Sequence, residues 1–248
     1  MGKIRGARWG ATVAAQDIYE ESSTALHKLG ERIVIGDRVF RYAKAGSSAL
    51  TAGLLVGAPC TLTSEDTVTV AHPIGTTVVT VTAASVSADD FAEGYLVVDE
   101  GTGAGETYKI KSNTATSGGT IQVTLYDGLK TAWSTSDTDV TLIPSPYNGL
   151  IVCPTDGIIM PVGVPLIDVT ANYYFWVQVK GPAGVKVDAG DGGGNAIDER
   201  LGILSPNHAG QVYFPDTPAA GKVIVCRAML DSADYGDDKV EPVELTLE

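Results

Sequence analysis

The stretch YYFWVQVK at residues 173–180 carries the alternation that decides the fold of this chain. Successive side chains of a β-strand point to opposite faces of a sheet, so a period of two separates two faces. The odd positions are aromatic or β-branched: Tyr173, Phe175, Val177 and Val179. The even positions mix aromatic and polar side chains: Tyr174, Trp176, Gln178 and Lys180. The pattern predicts a core strand with an aromatic outer face.

The same alternation recurs outward from this stretch. Thr and Val alternate at 67–70 and 79–82, and apolar and polar residues alternate at 120–125. Clusters of turn residues separate these segments: HPIGT, SVSADD, GTGAGE, TATSGG and STSDTD. Thr and Val favour strands, and Gly, Asp and Ser favour turns. The sequence therefore predicts a mainly β fold, with antiparallel β-barrel or sandwich modules and an extended N-terminal arm.

Four segments follow from this pattern. Residues 1–30 are the least β-like and predict an N-terminal arm, either extended or with one short helix around 17–29. Residues 31–52 predict a β-hairpin with a Gly-Asp turn, followed by a loop of small residues. Residues 53–145 and 146–248 predict two β modules, and an arrangement in which the second interleaves with the hairpin stays open.

The segment DEGTGAGETYKI at residues 99–110 raises the question of a nucleotide site. A dinucleotide fingerprint needs GxGxxG between a strand and a helix, and a P-loop needs Gly-Lys followed by Ser or Thr. Here the spacing is GxGxG, and Glu106 to Lys111 read as a strand instead of a helix. Without a helix N-terminus no dipole favours phosphate. The glycines predict a hairpin turn between 95–98 and 106–111.

Cysteines and histidines form no familiar site. Cys60, Cys153 and Cys226 are far apart and lie in apolar surroundings, which favours buried free thiols over a disulfide framework or a zinc site. The three histidines, His27, His72 and His208, stand in no metal-binding or catalytic motif. The sequence predicts no enzymatic activity, no resident cofactor and no metal from these residues.

The acidic loop DAGDGGGNAIDE at residues 188–199 offers oxygen ligands of the kind that calcium prefers. Its spacing fails the EF-hand pattern, because Gly190 occupies a position that needs a ligand, and its order does not match the repeat of a calcium β-roll. A surface loop is the favoured interpretation, and a calcium site is the alternative.

Charge is unevenly distributed. Residues 1–50 hold eight Lys/Arg and five Asp/Glu, and the rest hold nine and 25. An acidic body repels nucleic acid, and no apolar run is long enough for a membrane span. A basic arm on such a body favours docking on another acidic surface. The candidate partner-interface residues lie in this arm: Lys3, Arg5, Arg8, Trp9 and Tyr19.

Several motifs carry a resemblance to a known class. LHKLGERIVIGDRVFRYAKAGSSALTAGLL at 26–55 resembles the N-terminal region of virion structural proteins of tailed bacteriophages, although Gly36-Asp37-Arg38 is one residue longer than their Gly-Arg motif. GYLVVDEGTGAGETYKIKSN at 94–113, with VTLYDGL after it, DVTANYYFWVQVKGPAGVKV at 168–187, and the strand from Gly221 to Ala228 are also similar to these proteins, in the same order.

The resemblance implies a capsid decoration, or cement, protein. Such proteins are β-rich, often trimeric and non-enzymatic, and they bind the outside of the phage head after synthesis in the host cytoplasm. Its expected partners are the major capsid protein and further copies of itself, in a homotrimer. Neither nucleic acid nor membrane is an expected partner.

Two alternatives remain open at this point. The first is another virion role, in a tail, fibre or baseplate. The second is a carbohydrate-binding or adhesive β domain, in which the aromatic face around Tyr173–Trp176 stacks on sugars. An enzyme is the least supported class.

Overall fold

The computed structural model describes residues 16–58, 63–155, 159–188, 201–214, 223–229 and 239–248. Within these ranges the chain forms sixteen β-strands and no helix. The mainly β fold class is therefore confirmed, with barrel-like and sandwich-like sheets. No helix suited to crossing a membrane occurs in these ranges.

The chain divides into two compact units. The split unit comprises Met1–Pro59 and Tyr147–Glu248, and the inserted unit comprises Cys60–Pro146. The strands of the split unit are β1 (Arg32–Ile35), β2 (Arg38–Lys44), β3 (Val56–Ala58), β10 (Ile151–Val152), β11 (Met160–Pro165), β12 (Tyr174–Asp188), β13 (Leu201–Leu204), β14 (Val212–Tyr213), β15 (Ile224–Ala228) and β16 (Val240–Thr246). The inserted unit holds β4 (Thr63–Thr67), β5 (Val78–Thr82), β6 (Tyr95–Glu100), β7 (Thr107–Asn113), β8 (Thr120–Leu125) and β9 (Asp139–Ile143).

Strand β12 organises the split unit. It is 15 residues long and begins within the stretch YYFWVQVK. Its first half pairs with β2 and β11, and its second half pairs with β16 and, in parallel, with β14. Between the halves the register shifts at Gln178/Lys180. Gly181 follows with φ +88°, and a Cβ there would lie 2.6 Å from the Asp37 carbonyl oxygen, so only glycine fits this bend.

Both halves of β12 belong to closed arrangements. In the first, the order β2–β12–β11–β3–β10 returns to β2 through a parallel bridge between Ala45 and Leu150. In the second, the order β12–β14–β13–β15–β16 returns to β12. Each encloses an apolar core, one built around Phe175 and Val177 and the other around Val185 and Leu245. Closure leaves few unpaired edges among the described strands of this unit.

The prediction that residues 173–180 present an exposed aromatic outer face is wrong. Trp176 on that face is only 1 % exposed. It packs with Phe40 and Tyr42 of β2 and with Ile18 from the N-terminal segment, in a third apolar cluster on the outside of the sheet. Alternation correctly separates the two faces, but chain segments distant in sequence cover both of them.

Residues 16–30 supply this cover. They run in turns and bends, with a bridge from Ser22 to Tyr174, so the alternative of a short helix at 17–29 is wrong. This part of the chain packs on its own protein, because Ile18 is buried against the sheet of the split unit. The first fifteen residues lie outside the described ranges.

The inserted unit is a six-stranded barrel. Its strands follow the order β4–β9–β6–β7–β8–β5, and a bridge between Val68 and Val81 joins the end of β4 to β5. The alternating valines of β5 point inward, as the Thr-Val pattern predicts, and pack with Ile121 and Val123 of β8. In strands β5 to β9 one face thus fills the barrel and the other faces outward.

The predicted hairpins are confirmed. Strands β1 and β2 join through Gly36-Asp37, where the positive φ of Gly36 suits the first position of a tight turn. Strands β6 and β7 join through GTGAGE, and Gly101, Gly103 and Gly105 all have positive φ. A side chain at Gly101 would collide with the Asp137 carbonyl, which explains one glycine of the motif without any ligand.

Candidate functional site

Tyr19 is the one proposed interface residue that lies in the described ranges; Lys3, Arg5, Arg8 and Trp9 lie outside them. Its side chain is 57 % exposed. Its backbone N–H donates to Asp17 Oδ1 at 3.0 Å, and the N–H of Glu20 donates to the Asp17 carbonyl at 3.1 Å. This turn presents the tyrosine ring to solvent at the point where the described chain begins.

Gln16 anchors this turn to the sheet. Its side chain is 2 % exposed, and every polar group of the amide is used. Nε2 donates to the carbonyl of Glu20 at 2.8 Å and to that of Tyr174 at 2.9 Å. Oε1 accepts the Tyr42 hydroxyl at 2.8 Å. One side chain therefore links the N-terminal segment to both β2 and β12.

Aromatic rings complete the anchor. Trp176 Nε1 donates to the Gln16 carbonyl at 3.2 Å, and the Leu26 N–H donates to the Tyr42 hydroxyl at 3.1 Å. The rings of Tyr42 and Trp176 lie edge to face, with centroids 5.0 Å apart, and His27 lies 5.1 Å from each. Burial raises the pKa of Tyr42, so its hydroxyl stays protonated and able to donate. We call Gln16, Tyr42 and Trp176 the N-terminal anchor.

The aromatic sugar-stacking face is absent in the form expected from the sequence. Trp176, its largest ring, is used inside the anchor. Gln178 further along the strand is also buried, and its Nε2 donates to the carbonyls of Lys180, Gly181 and Pro182, so it serves the bend in β12.

The GTGAGE loop contains a structural carboxylate. Glu106 accepts the Tyr108 hydroxyl at 2.5 Å and also the Thr131 hydroxyl. Burial alone would raise the pKa of Glu106, but the hydrogen bonds from Thr131 and Tyr108 hold it below its ordinary value. The Tyr108 hydroxyl in turn accepts the Lys130 N–H at 2.9 Å. An anionic carboxylate tying two loops together is unsuited to holding phosphate.

Asp188, Ser205 and His208 come together at the end of β12. The Ser205 hydroxyl donates to the buried Asp188 carboxylate, and His208 Nδ1 lies 3.2 Å from Asp188 Oδ1. Ser205 Oγ also accepts the N–H groups of Asn207 and His208. In a nucleophilic triad the hydroxyl contacts the histidine, whereas here it contacts the acid. The geometry fixes the 205–210 turn, and residues 189–199 of the proposed calcium loop lie outside the described ranges.

The remaining reactive residues do not converge. His72 Nε2 accepts the Thr80 N–H at 3.0 Å, and burial lowers the pKa of this imidazole. Cys153 and Cys226 are buried free thiols as predicted, and burial raises the pKa of each to about 12, so neither is a thiolate at neutral pH. Cys60 lies outside the described ranges. Among the described residues no three His, Cys, Asp or Glu side chains are grouped so as to hold a metal ion.

Sequence reasoning missed the anchor. A single Gln at position 16 has no periodicity that marks it, and its partners are 26 and 158 residues away in the chain. The sequence indicated the anchor only indirectly. Large aromatic side chains on the outer face of 173–180 are more stable when another chain segment packs over them.

Comparison of this chain with protein-family models, with curated proteins and with solved structures gives no match.

Proposed function

We propose that this chain is a non-enzymatic capsid decoration protein of a tailed bacteriophage. In this role it binds the outer surface of the head, contacts the major capsid protein and stabilises the shell by bridging its subunits. The observation that carries the proposal is the N-terminal anchor. It fixes Gln16 to a folded β body, directly after a segment with three cations, one tryptophan and no acid.

Charge supports a docking role for residues 1–15. The chain from residue 16 onward holds 14 Lys/Arg and 30 Asp/Glu, so the cationic segment and the body have opposite signs. Such a segment is attracted to acidic surfaces of another protein within a Debye length of about 8–10 Å. Trp9 is the kind of side chain that dominates binding energy when it enters a pocket.

The anchor also sets the reach of the segment. An extended chain spans at most ~3.3–3.6 Å per residue, so Lys3 can lie up to roughly 45 Å from Gln16. Rigid attachment at Gln16 raises the effective concentration of the segment at a neighbouring binding site once the body is in place. In the proposed homotrimer three such segments act together, and avidity replaces a large single interface.

The test is co-sedimentation with phage heads prepared without this protein. Wild-type protein is expected to bind the heads and not the free capsid subunits. The double change Lys3→Glu and Arg5→Glu is expected to weaken binding strongly and to remove most of its salt dependence. The matched control is Lys111→Glu with Lys130→Glu, two exposed positions of the inserted unit that give the same net charge. Equal loss in both variants, or no binding by wild type, would overturn the proposal.

A tail or fibre location is the second virion role, and gold labelling on particles separates it from the head. The carbohydrate-binding alternative is weakened, because Trp176 of the proposed stacking face is buried.

A further inference from the structure

Strand β1 has an open edge. Among the described strands of the split unit, most edges are closed by a neighbour, but β1 pairs with β2 alone. Its sequence, Arg-Ile-Val-Ile, is strongly strand-forming, and Val34 and Ile35 are 52 % and 39 % exposed. An exposed, apolar strand edge is a template for pairing with another chain.

The register shows which groups face outward. Ile35 and Arg38 flank the two-residue turn, and the Tyr42 N–H donates to the Glu31 carbonyl at 2.9 Å. Hydrogen-bonded pairs alternate along an antiparallel ladder, so Glu31, Ile33 and Ile35 turn their backbone groups toward β2. The N–H and C=O groups of Arg32 and Val34 therefore point away from β2, and no described residue bonds to them.

We propose that β1 pairs with β1 of a second copy of this chain, antiparallel and centred on Ile33. In this register Arg32 lies opposite Val34 of the other copy, and Val34 lies opposite its Arg32. Both outward residues of each copy then use both backbone groups, which gives four hydrogen bonds between the copies. The two Ile33 residues form the central non-hydrogen-bonded pair, where side chains are closest.

The charge of this edge is compatible with a second copy. Arg32 Nε lies 3.3 Å from Glu248, and Arg41 also pairs with this carboxylate. Burial would raise the pKa of Glu248, but Arg41 and Arg32 hold it below its ordinary value, so the carboxylate is charged at neutral pH. The charge of Arg32 is thus partly neutralised by Glu248 of its own chain. The proposed register also avoids placing Arg32 directly opposite its copy, a like-charge pair that destabilises a sheet.

The contact is small. A four-residue strand offers far less than the roughly 800 Å² per partner of a standard interface, so the association is weak alone and gains strength where copies are already held close together. The inference stands independently of the proposed capsid role, because it rests only on the geometry of β1.

Disulfide trapping tests both the contact and its register. In a Cys60→Ser background, Ile33→Cys is expected to form covalent dimers under mild oxidation, because Cα atoms of a non-hydrogen-bonded pair lie about 4.5 Å apart. Val34→Cys is the matched control. In the proposed register the Cα atoms of position 34 in the two copies would be roughly 8 Å apart, beyond the ~7 Å Cα–Cα limit for a disulfide. We expect at least about fivefold more dimer from Ile33→Cys than from Val34→Cys.

A third variant addresses the hydrogen bonds. Val34→Pro removes an outward N–H and no bond to β2, so the fold is expected to survive while trapping at position 33 falls to the control level. Deleting residues 1–15 is expected to leave trapping unchanged. Equal trapping at positions 33 and 34, more trapping at 34, or loss of trapping on deletion of 1–15 would each overturn the proposal. Binding to heads is measured separately, so failure of one proposal is distinguishable from failure of the other.

Discussion

Replacing Gln16 by alanine should release the N-terminal segment from the sheet. The change removes three side-chain hydrogen bonds, to Glu20, Tyr174 and Tyr42. A net contribution of about 0.5–1.5 kcal/mol for each bond gives a loss of about 1.5–4.5 kcal/mol in the local free energy of opening. Since ~1.4 kcal/mol is a tenfold change in an equilibrium constant, the open form should become at least about 10 times more populated.

Native-state hydrogen exchange measures this opening at single residues. The N–H of Ser22 donates to the Tyr174 carbonyl at 2.9 Å, and that of Leu26 donates to the Tyr42 hydroxyl at 3.1 Å. Both amides should exchange faster in Gln16→Ala by the factor above, and amides of the inserted unit should be unchanged. The same variant should bind phage heads more weakly if the segment is the docking element.

The control is Gln122→Ala. Gln122 lies on β8 with its side chain exposed, and a surface substitution of this kind changes stability by less than about 0.5 kcal/mol. If Gln16→Ala accelerates exchange at Ser22 and Leu26 by less than about threefold, the three bonds contribute little and the anchor does not hold the segment. That result would remove the main support for the proposed role of residues 1–15.

Three further predictions concern stability and reactivity. Gly101→Ala should lower the free energy of unfolding by more than the ~1–3 kcal/mol of a positive φ, because its Cβ also meets a carbonyl of the β8–β9 loop. Gly105→Ala has open space around it and should lose only the ~1–3 kcal/mol of the positive φ. Urea unfolding measures both losses. The pKa of His72 is lowered in the folded state, so its contribution to folding stability is fully present above the unfolded value of 6.5 and is lost as pH falls below it. Between pH 8 and pH 5 the melting temperature should therefore decline less in His72→Gln than in wild type. Cys153 and Cys226 should resist alkylation at pH 8, so that native protein labels at most one of its three thiols and denatured protein labels all three.

Local features were predictable from the sequence because local chemistry determines them. Gly36 permits the positive φ of the first turn, and Gly101, Gly103 and Gly105 permit that of the second. The Thr-Val alternation separates the inside of the inserted barrel from its outside. These signals depend on residues a few positions apart. They predict strands, turns and the mainly β class without any knowledge of long-range pairing.

The cover on the outer face of β12 was not predictable in this way. Alternation assigns Trp176 and Gln178 to one face, but it does not say whether that face meets water. Burial there depends on Gln16 and Ile18, which lie more than 150 residues earlier and carry no periodic signal. The bend at Gly181 likewise depends on a close approach to Asp37, a contact that only the folded sheet creates.

The anchor and the open strand meet at β2. Gln16 binds Tyr42 on the outer face of that strand, and β1 forms its free edge. Ile33, the centre of the proposed contact between copies, packs against the same apolar cluster as Ile18 of the anchored segment. The buried state of that cluster therefore supports both surfaces. The proposed docking segment and the proposed pairing strand leave the body at neighbouring positions, so a partner bound at one would lie beside the other.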